Sequence, residues 1–181
     1  IKFIRSLSQK KFRDANNLFI AEGEKIVAEA LASGYNVKEV YHENEIGREC
    51  MERITCLSSP SPVLAVIEKP KHTPDSILKD LSSNLSGKKT LFLALDGVKD
   101  PGNLGTILRT ADALQIPVAL LEGCADPFSH KVVRASMGAV FRNPPVQTTW
   151  EQLRLSCKEQ GIPFFYGGRA PKTTSSIRGR T

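Results

Sequence analysis

Between Leu91 and Val146 an apolar strand runs into the turn Asp100-Pro101-Gly102-Asn103-Leu104-Gly105, a helix opens there, and the order strand, helix, strand continues. No other feature constrains the fold as much. Strands joined through helices lie parallel, and strands covered on both faces read as unbroken apolar runs. Leu91–Leu95 and Pro117–Leu121 fit that reading. Asn103–Leu114 predicts a helix with Leu104, Ile107, Leu108 and Ala111 as its buried stripe. Ser129–Met137 predicts a second helix with Val132 and Val133 inward. Trp150–Gln160 predicts a third, with Leu153, Leu155 and Cys157 available for packing, and Ile162–Tyr166 a last strand. The expected fold class is therefore α/β with a mostly parallel sheet, whose carboxyl rim is where ligands gather.

Residues 1–70 read as a separate small α/β domain. A basic helix is expected over Ile4–Lys11, a strand at Phe19–Ala21 and a helix over Glu24–Ala32, with Ile26, Val27, Ala30 and Leu31 at helical spacing. Val37–Tyr41 and Val63–Ile67 complete it as strands. Prolines, serines and lysines mark residues 71–89 as a linker, with a short helix expected at Asp75–Leu81. The second domain then occupies residues 90–181.

The formal charge of +6 and a pI of about 9.2 favour a polyanionic partner, RNA or DNA first. A basic enzyme without a nucleic-acid partner is the alternative. Cys50, Cys56, Cys124 and Cys157 form no C-x-x-C pair, and no histidine stands at metal-ligand spacing from them. Neither a metal site nor a disulfide framework is expected. No apolar run approaches the length needed to span a membrane, so the chain is expected to be soluble and cytoplasmic.

The Asp100–Gly105 turn allows close backbone approach, and its free N–H groups face a polar ligand or simply begin a helix capped by Asp100 or Asn103. It is neither the dinucleotide fingerprint nor a Walker loop, since G-x-G-x-x-G and Gly-Lys-Ser/Thr are both absent. Arg109 lies beside the apolar stripe; its guanidinium either holds a phosphate and polarises a hydroxyl or pairs with Asp112 or Glu122. Asp126 suits an Asx-turn ahead of Ser129 as helix cap, and His130, Lys131 and Arg134 give the helix a basic face. Ser136-Met137-Gly138 closes that helix with small residues. Near the start, Lys2, Arg5, Lys10, Lys11 and Arg13 with Phe3 and Phe12 form either a phosphate-contacting face or a solvated helix. No Ser/His/Asp triad and no acid/base carboxylate pair stands out.

The runs LDGVKDPGNLGTILRTADAL and DPFSHKVVRASMGAVFRNPP closely resemble the SpoU (TrmH-like) branch of the SPOUT RNA 2′-O-ribose methyltransferases. KKFRDANNLFIAEGEKIVAEAL and SPVLAVIEKP resemble that family's N-terminal substrate-binding domain. The resemblance implies a trefoil-knotted α/β domain working as a homodimer, with S-adenosylmethionine as methyl donor, no metal, and a ribose 2′-hydroxyl of RNA, most often rRNA, as acceptor. It makes Arg109 the catalytic arginine and Asn103 the signature asparagine. Gly123, Ser136, Met137 and Gly138 would lie at the cofactor, and Lys10, Arg13, Lys131 and Arg134 would contact RNA. The family's later Gly-x-Glu-x-x-Gly and Ser-x-Asn stretches are not found before Thr181. Residues 90–181 are accordingly expected to form a truncated SPOUT domain with an incomplete knot, and a non-catalytic RNA-binding protein on that fold is the alternative.

Overall fold

The computed structural model describes residues 1–70, 91–159 and 161–163. The N-terminal unit contains α1 (Lys2–Ser6), α2 (Lys10–Asn16), β1 (Leu18–Glu22), α3 (Glu24–Ala32), β2 (Val37–His42), α4 (Glu43–Ile46), α5 (Arg48–Ile54) and β3 (Val63–Glu68). Its three strands lie in the order β1-β3-β2, antiparallel throughout, with Ile20 opposite Val66 and Val40 opposite Ala65. Central β3 is apolar at every position from Val63 to Ile67 because both its faces are covered. Val63, Ala65 and Ile67 meet α3, while Leu64 and Val66 meet Ile4, Leu7, Met51 and Ile54.

The second unit contains β4 (Leu93–Leu95), α6 (Pro101–Ala113), β5 (Val118–Leu120), α7 (His130–Ala135), α8 (Ala139–Arg142), β6 (Val146–Gln147) and α9 (Trp150–Glu159). Its strands are parallel in the order β4-β5-β6, with Leu95 opposite Leu120 and Leu120 opposite Gln147. The alternation of β5 divides the layers. Val118 and Leu120 pack with Leu104, Leu108 and Ala111 of α6 and Val132 of α7, whereas Ala119 packs with Leu153 and Cys157 of α9.

Several expectations need correction. The basic helix over Ile4–Lys11 is two helices, broken where Leu7 turns inward. Leu31 and Leu155 point to solvent, and Leu91 and Leu93 are exposed; among the described residues the cover over β4 is partial, Ala94 packing toward α9 and Leu95 toward α6. The helix at Asp75–Leu81 and most of the strand at Ile162–Tyr166 lie outside the described residues; Ile162 and Pro163 are not in a strand.

The two units share one core. Phe19, Ile26, Val27 and Ile67 from the first pack with Phe128, Val133, Val140 and Phe141 from the second. Phe19 stacks on Phe141 at 6.1 Å and lies 4.9 Å from Phe128. Across the same boundary Arg142 donates to Glu29 of α3 at 2.5 Å, while within its own unit it donates to Asp112 of α6 at 2.7 Å.

Candidate active site at the rim of the parallel sheet

Beyond β4 and β5 the chain turns outward, and the two rim loops are tied together. The Leu121 N–H donates to the Leu95 carbonyl (2.8 Å), Gly97 N–H to Glu122 (3.3 Å) and Ala125 N–H to Val98 (2.8 Å). Gly97 and Gly123 both adopt positive φ, 65° and 78°, and an added Cβ on Gly123 would lie 3.5 Å from the Gly97 Cα. A cavity of about 210 Å³ opens here, lined by Leu120–Asp126, Gln147 and Thr148 from the rim and by Lys10 from the N-terminal unit.

Of the residues singled out from sequence, the cavity gathers Lys10, Gly123 and Asp126, the last expected only to close a turn. Asn103 and Arg109 do not line it. They stand exposed on α6, whose start is fixed by the Asp100 carboxylate accepting the Asn103 N–H at 2.7 Å. Asp100 is thus the cap, with Pro101 in the first helical position. Arg109 forms no ion pair with a described residue, because Asp112 is already held by Arg142.

The turn at Ser136–Gly138 lies elsewhere. Ser136 is fully buried, its Oγ donating to the Val133 carbonyl at 2.8 Å. Gly138 is buried against α3: an added Cβ would stand 2.8 Å from Glu29 Cγ. Both serve packing within this chain, and neither lines the cavity. Met137 alone of the three is exposed, in the left-handed region at φ 50°.

Lys131 and Arg134 are exposed on α7, and Phe3 and Phe12 are exposed near Lys2, Arg5 and Lys11. Arg13 is different. It is 3% exposed and pairs with Asp126 at 2.6 Å. A guanidinium so enclosed is committed to its carboxylate and is not presented at the surface. Ser129 caps α7, and the Asp126 carboxylate accepts the Phe128 N–H at 3.0 Å in the expected Asx-turn. Sequence reasoning missed Glu122, Gln147 and Thr148; their only signal was position, at or just beyond the carboxyl ends of two parallel strands.

Nucleophilic cysteine chemistry is not supported at Cys56 or Cys157, where burial pushes each thiol up to about 11. Among the described residues no cluster of three or more His, Cys, Asp or Glu is arranged to hold a metal, and no helix is long and apolar enough to cross a membrane.

Residues 90–177 match the SpoU rRNA methylase family, and residues 1–78 match the MRM3-like substrate-binding domain. A 23S rRNA (guanosine(2553)-2′-O)-methyltransferase, RlmP of Bacillus subtilis, is 30% identical, the alignment covering 91% of this chain and 68% of that protein. The chain belongs to the SpoU methylase family. The mitochondrial rRNA methyltransferase 3 of Xenopus laevis is 32% identical over 79% of this chain, but only 38% of that relative is spanned. Among solved structures, an AdoMet-bound rRNA methyltransferase from Sinorhizobium meliloti superposes with a TM-score of 0.74 at 32% identity, covering 88% of this chain and 65% of that one. A TrmH-family RNA methyltransferase from Porphyromonas gingivalis gives 0.74 at 35% identity, over 90% of this chain and 67% of that one. The fold is that of the SPOUT methyltransferases.

Proposed function

We propose that this protein transfers a methyl group from S-adenosylmethionine to a ribose 2′-hydroxyl of rRNA. The observation that carries the reading is the joint match of both units to rRNA 2′-O-methyltransferases, with a cavity at the carboxyl rim where such a sheet takes ligands.

The residues present fit the cofactor. Leu120, Leu121 and Cys124 offer an apolar lining, Glu122 an exposed carboxylate for hydroxyls or a cationic sulfonium, and Gly123 a wall without a side chain. Ligand pockets ordinarily measure roughly 300–1,000 Å³, so the described residues supply part of the wall that a ligand of this size needs. S-adenosylmethionine, when bound, supplies an electrophilic methyl on sulfur. The acceptor hydroxyl is a poor nucleophile and must be oriented: its oxygen bonds the methyl as the methyl–sulfur bond breaks to leave S-adenosylhomocysteine, and its proton passes to water. Arg109 brings a guanidinium with five N–H donors and no acceptor. Its part is to hold the phosphate beside the ribose and to stabilise the developing alkoxide, with Asn103 as a neutral partner on the same helix.

Within one chain Arg109 lies outside the cavity. A homodimer lets Arg109 of one subunit serve the cavity of the other, and exposed Leu114 and Met137 offer apolar surface for that contact. Lys10, Lys131 and Arg134, with Phe3 and Phe12 for stacking, would hold the RNA. The four free cysteines suit a reducing cytosol.

Labelled methyl should pass from S-adenosylmethionine into rRNA and render one internucleotide bond resistant to alkali, the mark of a blocked 2′-oxygen. Arg109→Ala should lower that rate by about 10²–10³-fold with cofactor binding unchanged. An undiminished rate in Arg109→Ala would remove Arg109 from the mechanism, and methyl found on a base would overturn the assigned acceptor.

A further inference from the structure

Arg13 belongs to the N-terminal unit, yet its strongest partner lines the cavity of the second. Its guanidinium makes four hydrogen bonds: Nη1 donates to the carbonyls of Leu7 (2.8 Å) and Ser8 (2.6 Å), while Nε (3.0 Å) and Nη2 (2.6 Å) converge on Oδ2 of Asp126. Two of these bonds close the turn between α1 and α2; the other two cross the domain boundary. The Asp126 side chain is 7% exposed, and its remaining oxygen accepts the Phe128 N–H. Asp126 ends the segment Leu120–Asp126 that walls the cavity, and its carbonyl accepts the Ser129 N–H at the start of α7.

Stability alone does not account for such a pair. A buried ion pair is often matched or bettered by apolar residues of the same volume, whereas removing one partner strands the other charge. What the pair does provide is direction. A planar fork gripping one oxygen fixes where Asp126 stands, and with it the last residues of the loop. Lys10, one turn earlier on the same helix, lines the cavity too and is held by Asp14 at 2.5 Å. Burial opposes ionisation of Asp14, but hydrogen bonds from Lys10 and Lys69 outweigh it and keep the carboxyl below the usual carboxylate range.

We propose that Arg13 is a positioning residue of the methyl-transfer site: through Asp126 it sets the loop that walls the cavity, so that the cavity is built by both units. This rests on the reading of the cavity as the cofactor site. α2 thus supplies both the clamp on Asp126 and Lys10 at the cavity wall.

The test compares Arg13→Lys and Arg13→Met with the unaltered protein, by amide hydrogen exchange along the chain and calorimetric titration with S-adenosylmethionine. Arg13→Met should speed exchange across 121–126 while β3 and α6 keep their protection, and should weaken cofactor binding by about tenfold. Arg13→Lys, which keeps the charge but not the fork, should fall between. If Arg13→Met does not fold, Arg13→Lys carries the comparison on the same terms. Unchanged exchange at 121–126, or exchange raised equally in β3 and α6, overturns the positioning role. An unaltered protein that takes up no S-adenosylmethionine overturns the reading of the cavity instead, and the exchange comparison still decides the role of Arg13.

Discussion

His130 opens α7 with its Nδ1 buried and without a hydrogen-bond partner among the described residues. Burial is the main force holding its pKa below the ordinary value of about 6.5; Lys131 and Arg13 push the same way, and Glu22 opposes them. The folded protein therefore binds fewer protons than the unfolded chain just below pH 6.5, so stability rises with pH there and is lost as pH falls through the folded value. The thermal midpoint should drop between pH 7 and pH 5, and His130→Gln should flatten that part of the profile. Equal slopes in the two proteins would remove His130 as the cause. Charge at this scale was legible only as a count. Composition shows that Arg13 and Lys131 are cationic, but nothing local to either residue says that Arg13 faces a carboxylate 113 positions away while Lys131 meets water.

The contact between α6 and α7 turns on one missing methyl group. A Cβ built on Gly105 would lie 2.4 Å from the Ala135 Cβ and 2.9 Å from backbone atoms of Ala135 and Ser136. Those neighbours belong to a helix wedged against the shared core, so little can give. Although alanine is the better helix former, Gly105→Ala should destabilise the protein by roughly 1–3 kcal/mol, since overpacking outweighs the propensity gained. Chemical denaturation reads the difference, and a variant as stable as the parent would show that the helices separate easily. The caps offer a milder comparison: Ser129→Ala should remove about 1 kcal/mol in the same assay. Elements with a full apolar period were legible, including β1, α3, β3, α6 and α9. The short α4, α5, α8 and β6 were not, because four to seven residues carry too little periodicity to distinguish a helix, and two too little to mark a strand.

Viewed as a whole, the molecule is held together across the boundary that the sequence marks as a linker. The pattern of β1 and β3 shows that Phe19, Ala65 and Ile67 share a buried face, yet periodicity cannot say what covers it. The cover is partly the second unit, through Phe128, Val140 and Phe141, with the Tyr35 hydroxyl donating to the Val140 carbonyl at 3.2 Å. A core shared in this way makes each unit depend on the other. Phe141→Ala should cost about 3–5 kcal/mol, the usual range for a buried phenylalanine. The loss should lower one common transition rather than split it, because the cavity opens between the units and both lose contacts. Fluorescence of Trp150 in the second unit and exchange of β3 amides in the first should then follow the same denaturation curve in the parent and in Phe141→Ala. Two separate transitions, with β3 keeping its midpoint while the Trp150 signal moves, would show that residues 1–70 hold their fold alone and that the shared face is a docking contact between independent domains.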